Sequence, residues 1–221
     1  MKQLIAALLT LLATLPLLAD SDNERMEAMG LVDVTTVAPE VTVSLMYARA
    51  DNFTGVKLYN TLTRAYLHPI AAKSLAAAQK ELSRLHPGYR LKIYDASRPM
   101  SAQRRMYKVV QGTSKARYVS NPRNGGGLHN YGMAVDVTIV DDSGKELDMG
   151  TKVDYLGPKA HTDTEASMLK RGVLTKAQVA NRALLRQVMT HGGFSPLGSE
   201  WWHFNRCTRP FARRHYKLIN F

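Results

Sequence analysis

Apolar residues recur at helical spacing in the first half of the chain. A helix is predicted to begin at His68-Pro69 and to end before His86-Pro-Gly88. Its apolar face consists of four residues: Leu75, Ala78, Leu82 and Leu85. A second helix is predicted from Ser101 to Gln111, closed by Gly112.

Alternating apolar and polar positions predict two strands. The first covers residues 89–95 and is stopped by the Ser97-Arg98-Pro99 segment, where proline forces a break. In the second, Val135, Val137 and Ile139 alternate with Ala134, Asp136 and Thr138. This pattern predicts one buried face, so Asp136 should point away from the core toward a cleft.

The second half of the chain predicts one hairpin and one further helix. Asp141-Asp-Ser-Gly144 has the composition of a hairpin turn, and Thr175-Lys-Ala-Gln178 that of a capping box. The helix is expected to bury one face and to end at Gly192-Gly193; the face comprises Ala180, Ala183, Leu184 and Val188. Residues 194–204 then return toward the sheet. Together the elements predict a single α+β domain, a mostly antiparallel sheet with flanking helices.

The first nineteen residues have the layout of a secretory signal. Lys2 precedes an uncharged stretch from Leu4 to Ala19, and the chain turns polar at Asp20. This stretch has 16 residues, fewer than the roughly 20 that span a bilayer, which favours cleavage over an uncleaved anchor. We expect a signal peptide at 1–19, a folded domain at 20–221, export to the periplasm or the medium, and no stable membrane span afterwards.

The chain is strongly basic. Its formal net charge is +12, or +11 without residues 1–19, whose single charged residue is Lys2. Such a charge favours anionic cell-envelope polymers as partners of an exported protein. No nucleic-acid-binding motif accompanies it, so we expect no nucleic acid partner. The basic tail is expected to be a solvated face; it comprises Arg206, Arg209, Arg213, Arg214 and Lys217.

Two short segments contain the residues for a metal site. His129 and Asp136 are seven residues apart, with Gly132 between them to allow a tight turn, and Glu200 precedes His203 by three. Two His and one Asp could hold a zinc ion and leave a fourth position for water. On a regular strand Glu200 and His203 would face opposite ways, so a bulge or helical turn is needed at Trp201-Trp202. Alternatively, His203 and the two Trp residues form an aromatic core cluster.

Cys207 lies four residues after His203 and could be taken for a further ligand. It is the only cysteine in the chain, so it cannot form an internal disulfide. A free cysteine is more often a small buried hydrophobic residue than a ligand. We therefore expect it to stay outside the site.

These segments resemble the zinc D-alanyl-D-alanine dipeptidases, which are relatives of the zinc DD-carboxypeptidases. The resemblance runs in order through most of the chain after residue 19. Its motifs are Tyr47-Ala-Arg-Ala-Asp-Asn-Phe-Thr-Gly55, Ser97-Arg98-Pro99, His129-x-x-Gly132-x-Ala134-x-Asp136, Asp148-Met-Gly150, Gly193-Phe194 and Glu200-Trp-Trp-His203. It implies a zinc DD-peptidase-like fold, a catalytic domain at 20–221 and one zinc ion per chain. The implied substrate is the free dipeptide D-Ala-D-Ala.

The resemblance also implies a role for each site residue. His129, Asp136 and His203 become the zinc ligands, and Glu200 becomes the general base that takes a proton from the attacking water. Arg98 becomes the cation that stabilises the oxyanion. The implied substrate-binding residues are Asp154, Tyr47 and Tyr59. The chain departs from the family pattern at Gly127, where relatives commonly have a serine hydroxyl near the substrate.

Two other functions remain compatible with the sequence. One keeps the chemistry and changes the substrate: a DD-carboxypeptidase or endopeptidase that trims peptidoglycan stem peptides. Such an enzyme needs an open groove, and groups that recognise both ends of a dipeptide argue against it. The other is a non-catalytic wall-binding module with a structural zinc, a class that usually has four protein ligands and no spare carboxylate.

Overall fold

The computed structural model describes residues 21–221, and within them the chain folds as one α+β domain, as predicted. The predicted signal peptide at residues 1–19 lies outside the described part. The helices of residues 21–221 are α1 Asp22–Ala28, α2 Val34–Val37, α3 Pro69–Leu85, α4 Met100–Val110, α5 Glu165–Lys170, α6 Lys176–His191 and α7 Arg209–His215. None of them is both long and apolar enough to cross a membrane.

A five-stranded sheet forms the centre of the molecule. The strands, in chain order, are β1 Val32–Asp33, β2 Thr42–Val43, β3 Tyr66–Leu67, β4 Arg90–Asp95, β5 Ala134–Val140, β6 Ser195–Leu197 and β7 Glu200–Asn205. The central sheet has the order β2-β4-β5-β7-β6, while β1 and β3 form a separate pair. Only the short β2 runs parallel to its neighbour, so the prediction of a mostly antiparallel sheet is confirmed.

The local signals for the two long helices are confirmed. His68 caps α3, with its Nδ1 accepting a hydrogen bond from the Ile70 amide at 3.3 Å. In α6 the capping box forms in both directions between Thr175 and Gln178, at 3.1 and 2.9 Å. These two helices contact each other, and α3 also packs against β4.

The predicted buried face of α6 is wrong in part. Val188 is buried and Leu184 is half-buried, but Ala180 and Ala183 are exposed. The residues of α6 that are buried are Arg182, Leu185, Val188 and Met189. The prediction counted only apolar side chains, whereas the helix turns a fully buried arginine inward.

The prediction of one buried face for β5 is also wrong, because every residue of the strand is buried. The strand has β4 and β7 along its two edges, and the burial of alternate residues shows that both of its faces are covered as well. Val135, Val137 and Ile139 belong to the hydrophobic core. Asp136, on the opposite face, lines a cavity, and the prediction that it faces a cleft is confirmed.

Candidate metal centre and active site

The register of the central sheet places three polar side chains in one row. Asp95 on β4 pairs with Asp136 on β5, which in turn pairs with His203 on β7. Pairing in β4 shifts by one residue after Ile93, and this irregularity brings Asp95 opposite Asp136. Directly opposed residues place their Cβ atoms about 4.5–5.5 Å apart on the same face. The strands themselves therefore bring this row together.

His129 joins the row from a 3₁₀ turn, Leu128–Tyr131. Gly132 ends this turn in the left-handed region with φ +67°, and a Cβ atom there would lie 2.9 Å from the His68 amide nitrogen. Both the backbone angle and the space require glycine. The expected tight turn between His129 and Asp136 is therefore present.

The three predicted zinc ligands converge. His129 Nε2 lies 3.1 Å from His203 Nδ1 and 3.3 Å from Asp136 Oδ1, while the last two atoms are 3.0 Å apart. A tetrahedral zinc with bonds of about 2.0–2.1 Å holds its ligand atoms about 3.3 Å from one another. Within residues 21–221, no other group of three His, Cys, Asp or Glu side chains has this arrangement.

The outer nitrogen of each imidazole is already engaged. His129 Nδ1 lies 2.7 Å from the Ala96 carbonyl oxygen, an acceptor that requires a proton on that nitrogen. His203 Nε2 lies 2.8 Å from Asn205 Oδ1. Each neutral ring therefore directs a lone pair at the Asp136 carboxylate. Three lone pairs at these distances repel one another unless a cation lies among them, so the donor set fits zinc.

Charge state supports the same conclusion for Asp136. Burial alone would raise the pKa of this carboxyl, but positive charge and N–H donors on protonated His129 and His203 lower it well below its usual range. When both rings are neutral, a bound cation would take the place of that positive charge, so in either state the carboxyl is favoured in its ionised form.

Glu200 reaches the same cavity through an irregularity in its strand. Pro196 pairs with Phe204, but Leu197 pairs with Glu200, so the strand bulges between these positions. This is the distortion that the Glu200 and His203 spacing predicts, and both side chains line the cavity. Burial raises the pKa of Glu200 to about 7, against the lowering effect of His203. A carboxyl with a pKa near neutrality suits a general base.

The two tryptophans between Glu200 and His203 are buried. Trp201 and Trp202 pack edge to face with ring centroids 5.4 Å apart. His203 turns away from them to the cavity and packs against His129. The alternative in which His203 joins the two tryptophans in a core cluster is therefore not what the structure shows.

Arg98 lies beside the metal ligands and is held rigidly. Its Nε and Nη2 donate to Asp95 Oδ2 at 2.9 and 2.6 Å, and Nη1 donates to Gln103 Oε1 at 2.9 Å. Nη2 is also 3.8 Å from Asp136 Oδ2. A guanidinium has five N–H groups, so two remain for a ligand in the cavity that Arg98 lines.

Tyr59 supports this cluster and does not line the cavity. Its hydroxyl group donates to Asp95 Oδ1 at 2.6 Å, and the side chain is almost fully buried. The sequence predicted a contact with substrate, but the structure places Tyr59 behind Arg98. Asp95 and Gln103 hold Arg98 in place. Neither residue belongs to a motif from which sequence reasoning could have found it.

Asp154 lines the cavity in a strained backbone conformation. Its φ is 70°, the one positive value among non-glycine residues in 21–221. Tyr47 donates to its Oδ1 at 2.9 Å, and the Phe53 amide donates to Oδ2 at 3.3 Å. Burial still raises the pKa of Asp154 to about 6. Tyr47 and Asp154, two of the predicted substrate-binding residues, are thus in contact, and the Arg98 guanidinium lies 5.1 Å from the Tyr47 ring centre.

A long loop, residues 147–164, carries Asp154 and is anchored to the rest of the domain by side chains. Arg182 of α6 is fully buried and donates to the carbonyl oxygens of Met149 and Lys159 at 2.7 and 2.9 Å. Trp201 Nε1 donates to Thr151 Oγ1 at 2.7 Å. The loop position therefore depends on contacts from α6 and β7.

The cavity has a volume of about 710 Å³ and extends beyond the metal ligands. Its wall includes residues for which no role in a site was predicted from sequence patterns: Tyr118, Ser120, Asn121, Thr208 and Arg209. Tyr118 donates or accepts a hydrogen bond with His161 Nε2 at 3.0 Å, which links two loops. Cys207 is half-buried and also lines the cavity, so it is not the buried residue expected, although it stays outside the metal cluster.

Comparison with known proteins agrees with this geometry. A family model described as D-Ala-D-Ala dipeptidase matches residues 27–220. The D-alanyl-D-alanine dipeptidase of Escherichia coli is 36% identical over 178 residues, covering 79% of this chain and 83% of the relative. The enzymes of the same name from Enterococcus faecalis and Streptomyces coelicolor are 26% and 29% identical, covering 78% and 77% of this chain and 89% and 88% of the relatives.

Proposed function

Since this chain belongs to the D-Ala-D-Ala dipeptidase family, we propose that it is a zinc peptidase that hydrolyses the free dipeptide D-alanyl-D-alanine. The observation that carries the proposal is the convergence of His129, Asp136 and His203 in a cavity that also contains Glu200. The substrate is inferred from the relatives, which are D-alanyl-D-alanine dipeptidases. The acidic Asp154 in the same cavity suits a substrate with a free ammonium group.

One zinc ion per chain is the cofactor that these donors fit. Three protein ligands with a free carboxylate nearby match catalytic zinc sites, whereas structural sites usually have four protein ligands. When bound, the ion would lower the pKa of water and polarise the scissile carbonyl. This argues against a wall-binding module with structural zinc.

Glu200 transfers the proton in the proposed reaction, and Arg98 stabilises the oxyanion. Glu200, with a pKa of about 7, takes the proton of the attacking water and can pass it to the leaving amine. Arg98 directs its two uncommitted N–H groups toward the developing oxyanion. Because Asp95 and Gln103 hold the guanidinium in place, little reorganisation is needed; donors of this kind contribute roughly 2.7–4 kcal/mol.

Substrate capture falls to Asp154 and Tyr47. The Asp154 carboxylate accepts the ammonium of the dipeptide, and Tyr47 fixes the orientation of that carboxylate. Tyr59 acts indirectly, because its hydroxyl group holds Asp95 and thereby Arg98.

The substrate is tested by assaying the purified protein against free D-Ala-D-Ala, N-acetyl-D-Ala-D-Ala and a stem pentapeptide ending in D-Ala-D-Ala. We expect cleavage of the free dipeptide and little cleavage of the other two. Comparable rates on all three would replace the dipeptidase assignment with the DD-carboxypeptidase alternative.

The metal is tested by measuring zinc content in the wild type and in His203→Ala. We expect about one zinc per chain in the wild type and strongly reduced occupancy in the variant. Full occupancy in His203→Ala would show that the ligand set is wrong.

We further propose that the protein is exported and meets an anionic cell envelope. The support is the sequence of residues 1–19 and the net charge of +12. N-terminal sequencing of the protein from the envelope fraction should give a start at or near Asp20. A soluble cytoplasmic protein with an intact N-terminus would contradict export.

A further inference from the structure

The two ends of a free dipeptide carry opposite charges, and the site described so far accounts for only one of them. Asp154 faces the ammonium end. The carboxylate end needs donors, but three N–H groups of Arg98 are committed to Asp95 and Gln103, and the proposed mechanism uses the other two for the oxyanion. The cavity wall offers another cation and a hydroxyl group, Arg209 and Ser120. The inference below rests on the proposed function, because it assumes a dipeptide substrate.

The hydroxyl group of Ser120 occupies the space beside Gly127. A Cβ atom built on Gly127 would lie 2.7 Å from Ser120 Oγ and 3.2 Å from Ser120 Cβ. The φ of Gly127 is −107°, an extended backbone that any residue can adopt. A larger residue at position 127 would therefore displace the hydroxyl group of Ser120, although the backbone could accommodate it. Gly127, which lies two residues before the proposed ligand His129, thus leaves room for the hydroxyl group of Ser120 from another loop.

The main chain of Ser120 is tied to the catalytic arginine. Gln103 is fully buried; its Nε2 donates to the Ser120 carbonyl oxygen at 2.7 Å and its Oε1 accepts from Arg98 Nη1 at 2.9 Å. One side chain thus holds both Arg98 and Ser120. Ser120 is preorganised relative to the reacting centre, although it lies on a loop.

Arg209 supplies an uncompensated positive charge at this point. Its Nη2 donates to Ser120 Oγ at 3.0 Å. Within residues 21–221 no carboxylate lies within 4.0 Å of its guanidinium. Since a hydroxyl group has one donor and two acceptor positions, the bond from Arg209 leaves the Ser120 hydrogen free to donate. Arg209 is exposed, as expected for the basic tail, and it also lines the cavity.

We propose that Ser120 and Arg209 together bind the carboxylate of the substrate. The serine hydroxyl donates to one carboxylate oxygen, and the guanidinium supplies charge and a second donor. Arg117 also lines the cavity, but its Nε donates to the Ser114 carbonyl oxygen and it makes no hydrogen bond with Ser120. Ser120 and Arg209 would therefore make the enzyme select substrates whose C-terminal carboxylate is free, while Asp154 binds the ammonium group at the other end of the dipeptide.

The test compares free D-Ala-D-Ala with its C-terminal amide. Arg209→Gln should raise KM for the free dipeptide about tenfold or more while changing kcat and the amide kinetics little, because only the ionic contact is lost. Ser120→Ala should shift KM in the same direction by a smaller factor. The matched control is Arg214→Gln, which removes the same charge from α7 at an exposed position outside the cavity wall and should leave both substrates unaffected.

Moving the hydroxyl group from position 120 to position 127 tests the role of Ser120 independently of Arg209. Gly127→Ser should raise KM because its Cβ would collide with Ser120 Oγ. Combining Gly127→Ser with Ser120→Gly removes the collision and restores a hydroxyl group to the same space, so KM should recover toward the wild type. A double variant no better than Gly127→Ser alone would overturn the role of Ser120.

The outcomes distinguish this inference from the proposed function. If the wild type cleaves D-Ala-D-Ala and Arg209→Gln keeps the preference for the free dipeptide over the amide, the carboxylate site is wrong and the dipeptidase assignment stands. A shift produced by Arg117→Gln in place of Arg209→Gln likewise overturns it. If the wild type does not cleave the dipeptide at all, the proposed function itself fails. Zinc content and thermal melting of each variant separate loss of binding from loss of folding.

Discussion

The end of the cavity with the proposed zinc ligands His129, Asp136 and His203 (the metal end) and the end with Asp154, the proposed contact of the substrate (the substrate end), are built in different ways. Asp136 and His203 are cross-strand partners in the middle of the central sheet. Asp154, in contrast, lies in the 147–164 loop with a positive φ, and contacts from other elements hold that loop in place. Backbone hydrogen bonds therefore determine the geometry of the metal end, whereas a few long-range side-chain contacts determine that of the substrate end.

Because of this difference, we expect that mutation can separate metal binding from substrate recognition. Substitutions in the 147–164 loop should alter KM and leave zinc content intact, because no proposed zinc ligand lies on the loop. Substitution of Glu200, the proposed general base, should alter kcat and leave both zinc and substrate binding largely intact.

Glu200→Gln should reduce kcat by roughly 10²–10⁴-fold, since an amide has a similar shape but cannot accept the proton of water. Zinc content should stay near one per chain, and KM should change little. Steady-state kinetics with metal analysis checks both. Activity near that of the wild type would remove Glu200 from the role of general base.

Asp154→Asn should raise KM for the free dipeptide by roughly 10- to 150-fold, the range expected when a charged hydrogen bond worth about 1.5–3 kcal/mol is lost. Zinc content should not change. N-acetyl-D-Ala-D-Ala is the control substrate, because it lacks the ammonium group and should show little difference between wild type and variant. An equal loss on both substrates would mean that Asp154 serves the fold and not the substrate.

The advantage of Asp154 over asparagine should depend on pH. Burial raises the pKa of Asp154 to about 6, so the free enzyme carries the ionised carboxylate above that pH and loses it as the pH falls. The ratio of kcat/KM between wild type and Asp154→Asn should therefore be large above pH 6 and decline toward one below it. A ratio that stays constant from pH 5 to 8 would contradict binding of the ammonium by an ionised Asp154.

Sequence patterns predicted the metal end far better than the substrate end. The spacing of His129, Gly132 and Asp136, and the need for a distortion at Trp201-Trp202, follow from local strand and turn geometry, and the structure contains both. The ligand roles themselves came from the resemblance and stay a prediction.

The parts that sequence reasoning missed depend on distant contacts. Gln103 links Arg98 to Ser120, and the bulge in β4 that sets Asp95 opposite Asp136 has no sequence signature. The buried face of α6 was predicted wrongly in part for the same reason. A hydrophobic pattern cannot show that Arg182 turns inward, since the carbonyl groups that it binds lie more than twenty residues away in the 147–164 loop.

Substitution of Arg182 is expected to have the smallest effect on catalysis. Methionine has a similar length but no donors, so Arg182→Met would leave the carbonyl oxygens of Met149 and Lys159 buried without partners. Each such loss costs about 1–3 kcal/mol. Glu165 would keep its other partner, Arg186, at 2.8 Å.

We expect Arg182→Met to lower Tm by several degrees and to raise KM for D-Ala-D-Ala only a few fold, because the loosened loop still carries Asp154. Zinc content should be unchanged, since His129, Asp136 and His203 make no hydrogen bond with this loop. Arg186→Met is the matched control: it makes the same substitution one turn further along α6, at a partly exposed residue whose side-chain hydrogen bonds and ion pairs within residues 21–221 are with Glu165. Thermal melting, metal analysis and kinetics on both variants check the prediction. If Arg182→Met lost zinc in proportion to activity, the two ends of the cavity would have to be regarded as one cooperative unit.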